Sequence, residues 1–480
     1  MPYFFAWMSF KKDPSAMIFV SERTIYRREE PSIPIQDFII SVFNLKESQI
    51  RSISIKRADN ETLNAYIVTI PEEKECPYCG GILNSDGHAR PKKIINSVLV
   101  QHKMVVHWSP HRFICKECGR TVTERNPFTY PGFSISFATI RQIMLDLKKS
   151  NLTYKDIAER NYVSITTVQH YFDSYINVPR ARLPENLAID EVHSSMAKYG
   201  SAFLCVLYDN VTRQPVDILP CRSKHELSKY YERFSPEDRE KVRFVTMDMW
   251  DPYRDTAHKY FKNCEVAADP FHVIEHLIGD FGTLRLQIQG QVEYGSPSYY
   301  LLKNWNWLLT ASNVDLDNKP VMNRVFNRYM NHRDLLEMTL ATSDELTSAY
   351  YLMKKYQYFN ESCPEEEAAQ QLDSLIEEFA SSDISVYREF VILLNNWRTE
   401  IINSFHTPNG RRQSNALAES VNSQIKTYLA VSKGNSNFER FRRRILYCLN
   451  DSVFYSCTSF LKTLKEERRK RGAYKKHSSD

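Results

Sequence analysis

The chain has no apolar run approaching the roughly 20 residues that a membrane helix needs, so a helical membrane span is not expected. Its opening, MPYFFAWMSFKKDPS, is apolar, but no basic region precedes the apolar stretch and no small-residue cleavage site follows it. It does not read as a secretory leader. The expectation is therefore a cytoplasmic protein whose ten cysteines stay reduced. The low hydrophobicity of a disordered chain is also missing. With 42% hydrophobic and 25% charged residues over 480 positions, this is ordinary globular material, long enough for about three domains.

A large net charge is absent too, at +5 overall, but the distribution is uneven. Residues 76–150 hold 11 Lys and Arg against 4 Asp and Glu, a balance of +7, and residues 401–480 hold 16 against 6, or +10. The rest of the chain stands at −12. Two basic ends around an acidic middle point to two nucleic-acid-facing segments. Composition alone fits a pair of solvated basic faces equally well.

Residues 36–70 alternate loosely (IRSISIKRADNETLNAYIVTI) and predict a strand, a turn at Asp59-Asn60 and a second strand. CPYCG at 76–80 and CKECG at 115–119 follow, each with zinc-knuckle spacing and a glycine placed for the tight turn. The 35 residues between Cys79 and Cys115 include NSVLVQHKMVVHW and HRFI. This is longer than the commonest ribbon spacing, so an inserted strand pair is expected. Cys76, Cys79, Cys115 and Cys118 are read as four thiolate ligands of one structural Zn²⁺ with no open position. Four unconnected thiols are the alternative.

TYKDIAERNYVSITTVQHYFD, residues 153–173, predicts a helix-turn-helix. Ile157 and Ala158 belong to the first helix, NYV is the turn, Ser164 caps the second helix, and Val168 and Tyr171 face inward. Thr166, Thr167, Gln169 and His170 then face a DNA groove. From 183 to 275 the texture alternates. NLAIDEVHS, SAFLCVLYDN and QPVDILPC are strands, SKHELSKYYERF is a helix capped by Ser223, and KVRFVTMD and CEVAADPFHVI are two further strands. Three strands in meander, a helix and two more strands is the order of a ribonuclease-H-like sheet. Residues 276–405 are rich in Tyr, Trp, Leu and Asn with almost no strand signal, and predict an all-helical insertion. A last helix begins at Ser414.

The expected fold is thus multidomain α+β. An N-terminal extension and strand pair (1–70) precede a zinc ribbon (71–130) and a helix-turn-helix (131–180). A ribonuclease-H-like α/β catalytic core (183–275 and 406–450) follows, split by the helical insertion (276–405) and ending in a basic tail (451–480).

Such a sheet offers a place for metal chemistry. Asp190 lies at the centre of the first strand, Asp248 ends the fourth, and Glu419 is in the helix after the insertion. Three converging carboxylates repel one another unless divalent cations, Mg²⁺ or Mn²⁺, lie between them. Two such ions can activate an attacking water or 3′-hydroxyl and stabilise the leaving oxygen. Lys426 follows Glu419 by two helical turns on one face, and Asn415 and Asn422 fall near the same stripe. An ordinary surface Glu and Lys would look the same. Asp269, also at a strand end, and His272 are accessory groups, with Asp269 a rival second ligand. Glu191 should point to the opposite sheet face. Trp250 is read as core before base-stacking.

With these residues in place, the chain resembles a bacterial insertion-sequence transposase of the ISL3 family, which uses an Asp-Asp-Glu triad. The resemblance is carried by the paired C-x-x-C ribbon, the helix-turn-helix, IDE at 189–191, DMWDPY at 248–253, DPFHV at 269–273 and SNALAESVNSQIK at 414–426. It implies the triad Asp190, Asp248 and Glu419, cutting at terminal inverted repeats, and joining of 3′ ends to target DNA. It also implies double-stranded DNA as partner and a homodimer on paired ends, in the bacterial cytoplasm at the nucleoid. Where the family usually shows glycines around the glutamate, this chain has Ala416 and Ser420, which favour helix. Arg442, Arg443 and Arg444, in the basic stretch beyond, are read as DNA contacts. The alternative function is a DNA-binding regulator derived from a catalytically retired transposase. A nonspecific metal nuclease fits less well with two dedicated DNA-binding modules.

Overall fold

Strand alternation organises the first part of the chain, where every second side chain of Thr62–Thr69 from Ala65 onward is buried. The computed structural model describes residues 42–43, 45–58, 62–97, 102–130, 133–311, 314–410, 412, 414–432 and 436–455. The expected extension at 1–35, the Asp59-Asn60 turn and the basic tail beyond Tyr455 lie outside the described residues. Two compact units divide the chain, residues 1–138 and 139–480.

The strands of the first unit are β1 (Ile50–Arg57), β2 (Thr62–Thr69), β3 (Leu83–His88), β4 (Lys92–Ile95), β5 (Lys103–Trp108), β6 (His111–Cys115) and β7 (Thr121–Thr123). They form two sheets, β1-β2-β5-β4 and β3-β6-β7. The strand pair inside the cysteine interval, β4 and β5, joins β1 and β2, with β2 and β5 running parallel. The strand pair of the N-terminal segment and the insert in the ribbon interval therefore share one core. Ala65, Ile67, Ile94, Met104, Val106 and Trp108 are buried in it with Phe128. Each fully buried large apolar side chain contributes about 1.5–3 kcal/mol.

The second unit opens on three helices, α1 (Phe137–Leu147), α2 (Tyr154–Arg160) and α3 (Ile165–Tyr175). Thr153 and Asp156 form a reciprocal capping box at the start of α2, and Ser164 caps α3 by accepting from Thr167 N at 3.1 Å. Tyr162 makes the turn between them at φ 53°, a region non-glycine residues seldom occupy. The neighbouring Asn161 braces it by donating to Ile157 O at 2.9 Å and Asp146 Oδ2 at 3.2 Å. Ile157, Ala158, Val168 and Tyr171 are buried, as the apolar pattern requires.

The main sheet consists of β8 (Asn186–His193), β9 (Phe203–Asp209), β10 (Gln214–Leu219), β11 (Phe244–Met247) and β12 (Glu265–Ala268), in the order β10-β9-β8-β11-β12. The first three are antiparallel neighbours; β8, β11 and β12 run parallel. One face is buried under α4 (Lys224–Tyr231), α5 (Asp251–Tyr260), α6 (Pro270–Gln291) and the helices of the insertion. The other is covered by α7 (Ala416–Val431) and α8 (Phe438–Leu449). The interval 276–405, expected to be wholly helical, carries a two-stranded hairpin, β13 (Val321–Asn323) with β14 (Arg328–Met330). Strands of three residues are too short to register as a period-two pattern. Among the described residues no helix is long and apolar enough to cross a membrane.

Candidate active site and metal centres

Strand register builds the first site. β11 runs between β8 and β12, with Met247 opposite Ile189 on one side and Ala268 on the other. The next residue on each strand path is an acid: Asp190, Asp248 and Asp269. The three form a row at about 4.8 Å per strand step. Alternation then sorts the faces. Ala188 and Val192 pack with Ala418, Val421 and Ile425, whereas Leu187 and Ile189 pack in the opposite core. Asp190 accordingly faces α7, and Glu191 points the other way.

One carboxylate oxygen each of Asp190 and Asp248 and a ring nitrogen of His272 lie within 4.8 Å of one another. His272 Nε2 is 3.0 Å from Asp248 Oδ1 and 3.9 Å from Asp269 Oδ2, while Nδ1 is 3.1 Å from Glu275 Oε2. Asp190 is only 7% exposed. Burial, and then the charge of Asp248, push its carboxyl up to about 7. Burial works against the His272 imidazolium. The hydrogen bond and charge of Asp248, with the charges of Asp269 and Asp190, outweigh it and raise the ring to about 9. Burial also raises Asp269, which caps α6 and accepts from Phe271 N at 3.4 Å and Asn415 N at 3.3 Å.

Helix α7 closes the row. Asn415, its N-cap residue, donates from Nδ2 to Ile189 O at 3.0 Å and to Asp248 Oδ1 at 3.4 Å. Asn422 Nδ2 donates to Asp190 Oδ2 at 2.6 Å, and Tyr208 Oη donates to Asn422 Oδ1. Glu419 stands four residues after the first asparagine and three before the second, on the stripe that touches both aspartates. It is exposed, and its carboxylate is not within the close group of Asp190, Asp248 and His272. Lys426 is exposed two turns further along. Asn415 Oδ1 is buried without a hydrogen-bond partner among the described residues. An orphaned acceptor beside crowded carboxylates is an oxygen-rich donor set that suits a hard divalent cation.

Sequence reading missed what flanks this row. Glu191 is ion-paired with Arg222, whose guanidinium lies between the Phe203 ring (4.4 Å) and the Trp250 ring (4.3 Å). Trp250 is 39% exposed, so the expectation of a core tryptophan does not hold. No spacing rule links residues 191, 203, 222 and 250, and Tyr208 carried no signal beyond its place in an apolar strand.

The second site is in the first unit. Cys76, Cys79, Cys115 and Cys118 bring their sulfurs within 4.8 Å of one another, with Cys76–Cys118 at 3.6 Å and Cys79–Cys115 at 3.5 Å. Thiolates about 2.3 Å from a tetrahedral zinc stand roughly 3.8 Å apart, so the cluster fits that ion. The two motifs fold alike. Gly80 N donates to Cys76 O and Gly119 N to Cys115 O, each at 2.9 Å, and both glycines have positive φ, 76° and 66°. A side chain would strain either turn.

Of the residues expected at DNA, Thr166 and His170 are exposed on α3, and Thr167 and Gln169 are half-buried. The three arginines are placed otherwise. Arg442 binds Asp217 through Nε at 2.5 Å and Nη2 at 2.9 Å. Arg443 donates to carbonyls at the end of α3, including Ile176 O. Arg444 is 1% exposed and donates to Lys149 O and Leu152 O, both at 3.1 Å. They join α8 to the main sheet and to the helix-turn-helix. Burial keeps Arg444 from a phosphate, and Arg442 and Arg443 are engaged by Asp217, Asp173 and backbone carbonyls, which corrects the expectation that these three arginines are DNA contacts.

Residues 187–445, just over half of the chain, match the model of the family DDE_Tnp_ISL3, described as "Transposase". Over 264 residues the chain is 21% identical to the transposase for insertion sequence element IS1001 of Bordetella parapertussis. That alignment covers 54% of this chain and 64% of the relative's length. The family match contains Asp190, Asp248, Asp269, His272 and Glu419, and it begins after the cysteine cluster and the helix-turn-helix.

Proposed function

The chain belongs to the ISL3 family of transposases, and from that premise we propose that it cuts phosphodiester bonds at the terminal inverted repeats of an insertion sequence and joins the freed 3′ ends to target DNA. The observation that carries the proposal is the row Asp190, Asp248 and Asp269, closed by Asn415 and Asn422 on either side of Glu419. The sheet order, three antiparallel strands continued by two parallel ones, supports a ribonuclease-H-like reading of 183–275 with 406–450.

Asp190, Asp248 and Glu419 would hold the divalent cations, Mg²⁺ or Mn²⁺. When bound, such ions supply activation of the attacking hydroxyl and charge neutralisation at the leaving oxygen. The protein's own contribution is positioning. Asn422 aims the Asp190 carboxylate, and Tyr208 fixes the rotamer of Asn422. Asn415 ties the helix start to all three strand paths, through Asp269, Ile189 O and Asp248. His272 balances the charge of the row, and Lys426 is placed to hold a backbone phosphate. The cysteine ribbon with its Zn²⁺ and the helix-turn-helix of 131–180, through Thr166, Thr167, Gln169 and His170, would bind the repeats. Two copies on paired ends, at the nucleoid in the cytoplasm, complete the reading.

The test compares the parent protein with Glu419→Gln on labelled duplex carrying candidate repeats, with Mg²⁺ or EDTA. Cleavage at the repeat boundary by the parent, lost in the variant and in EDTA while binding persists, is the expected result. Binding without cleavage by the parent would replace the proposal with a DNA-binding regulator. Cleavage by the variant would remove Glu419 from the triad.

A further inference from the structure

The outward face of the sheet β1-β2-β5-β4 has no part in the chemistry proposed for the second unit. Its inward side chains make the core of the first unit, so the alternate ones point away from that core. Register brings Ser54, Tyr66, His107 and Lys93 into one row across the four strands, and Lys56, Asn64, Val105 and Ile95 into the next. Lys103 adds a further cation on the same face. None of the four strands contains an Asp or Glu.

The middle of the face is aromatic. Tyr66 is 42% exposed and stacks on His107, with ring centroids 4.7 Å apart and planes inclined by 17°. Lys56 Nζ lies 5.7 Å from the centre of the Tyr66 ring, and His107 Nε2 is hydrogen-bonded to Asn64 Oδ1 at 2.8 Å. Burial, with Lys93 alongside, holds His107 below the ordinary histidine value, so it stands there as a neutral ring.

We propose that this face is a DNA-backbone platform, a contact surface for the terminal-repeat duplex separate from the helix-turn-helix and the cysteine turns; the identity of the ligand rests on the transposase reading. From Lys56 on β1 to Lys93 on β4 the face spans three strand steps, about 14 Å at ~4.8 Å each. One DNA strand carries a charge every ~3.4 Å along the axis, so lysines at the two margins bracket about four phosphates. The charge is of one sign, and the outward apolar side chains are only Val68, Val105 and Ile95. That composition suits a polyanion better than the apolar centre of a protein interface. Tyr66, flanked by His107 and Lys56, offers a hydroxyl to phosphate or sugar between the cationic margins.

The test uses the full-length chain and a labelled repeat duplex, titrated from 0.05 to 0.2 M salt. Lys56→Gln/Lys93→Gln/Lys103→Gln should weaken binding by about tenfold or more. It should also flatten the slope of log affinity against log salt by about 2–3, at ~0.9 for each phosphate that is no longer neutralised. The Lys→Arg triple should retain parent affinity, and Lys262→Gln/Lys319→Gln should change nothing. Unchanged affinity and slope in the Gln triple, with the parent binding normally, overturn the platform and leave the transposase reading standing. A parent that binds no duplex overturns both. If removing residues 1–41 tightens DNA binding and only then exposes sensitivity to the lysine changes, the face seats the chain's own N-terminal segment and the proposal falls. It also falls if the Gln triple abolishes self-association in sedimentation while DNA affinity holds.

Discussion

Asn422 donates to the Asp190 carboxylate at 2.6 Å across 232 positions of sequence. Its own carbonyl oxygen accepts from Tyr208. The helix that carries Glu419 is thereby held against the strand that carries Asp190 by a buried polar chain, where each lost bond leaves a desolvated partner.

Replacing Asn422 with Ala should lower cleavage about 10–100-fold, the usual cost of removing a group that orients a metal-binding carboxylate. Affinity for the repeat duplex should be retained. Tyr208→Phe should give a smaller loss in the same direction. Single-turnover cleavage and equilibrium binding, measured on the same preparations, separate the two quantities.

The raised carboxyl of Asp190 sets a pH dependence. The folded, metal-free protein keeps a proton there up to about 7, whereas the unfolded chain releases it near ~3.9. Over that window the native state binds more protons, so this group's contribution to stability is full below pH 4 and is lost as pH rises through 7. A divalent cation takes the deprotonated form, so its stabilisation should grow in the opposite direction. Thermal unfolding with and without Mn²⁺ should show a larger upward shift at pH 7.5 than at pH 5.5. Equal shifts at both would mean that Asp190 is not part of the cation site.

The four-cysteine cluster should contain one zinc per chain by elemental analysis, and Cys118→Ser should lose it. Chelation should lower the melting temperature of the first unit specifically, because a structural zinc contributes directly to folding. Cleavage by the second unit on a pre-nicked, non-repeat substrate should be less affected than repeat binding.

Arg444→Ala should destabilise by roughly 3 kcal/mol, since it empties the space of a side chain only 1% exposed and takes the donor from the Lys149 and Leu152 carbonyls. The urea midpoint should fall while the DNA affinity of the folded protein is kept. Thr166→Ala/Gln169→Ala should do the reverse, weakening repeat binding and leaving the midpoint within experimental scatter. The opposite pattern would restore Arg444 to the DNA interface.

Much of the candidate site was legible because its signals are local. A strand that runs TMD or LAID declares its acid, and C-x-x-C-G declares a turn that only glycine enters freely. The stripe of Asn415, Glu419, Asn422 and Lys426 follows from helical spacing. Arg442, Arg443 and Arg444 misled because a basic run looks the same whether it meets phosphate or, as here, Asp217 and carbonyls at the end of α3 and in the segment between α1 and α2. Trp250 misled for the converse reason: its partner, Arg222, lies 28 positions back and leaves the ring partly in solvent.

The sequence by itself determined the longer elements and the chemistry at their tips: which segments alternate, which turn, and which residue types stand there. Periodicity, capping and the cysteine spacings are all effects of near neighbours. Only the tertiary structure decided that β2 pairs in parallel with β5, that Asp190, Asp248 and Asp269 fall in one row, and that His272 joins Asp190 and Asp248 in one close group while the Glu419 carboxylate lies outside it. Those outcomes depend on strand register and on which buried polar groups find partners. Both are free-energy comparisons among residues hundreds of positions apart.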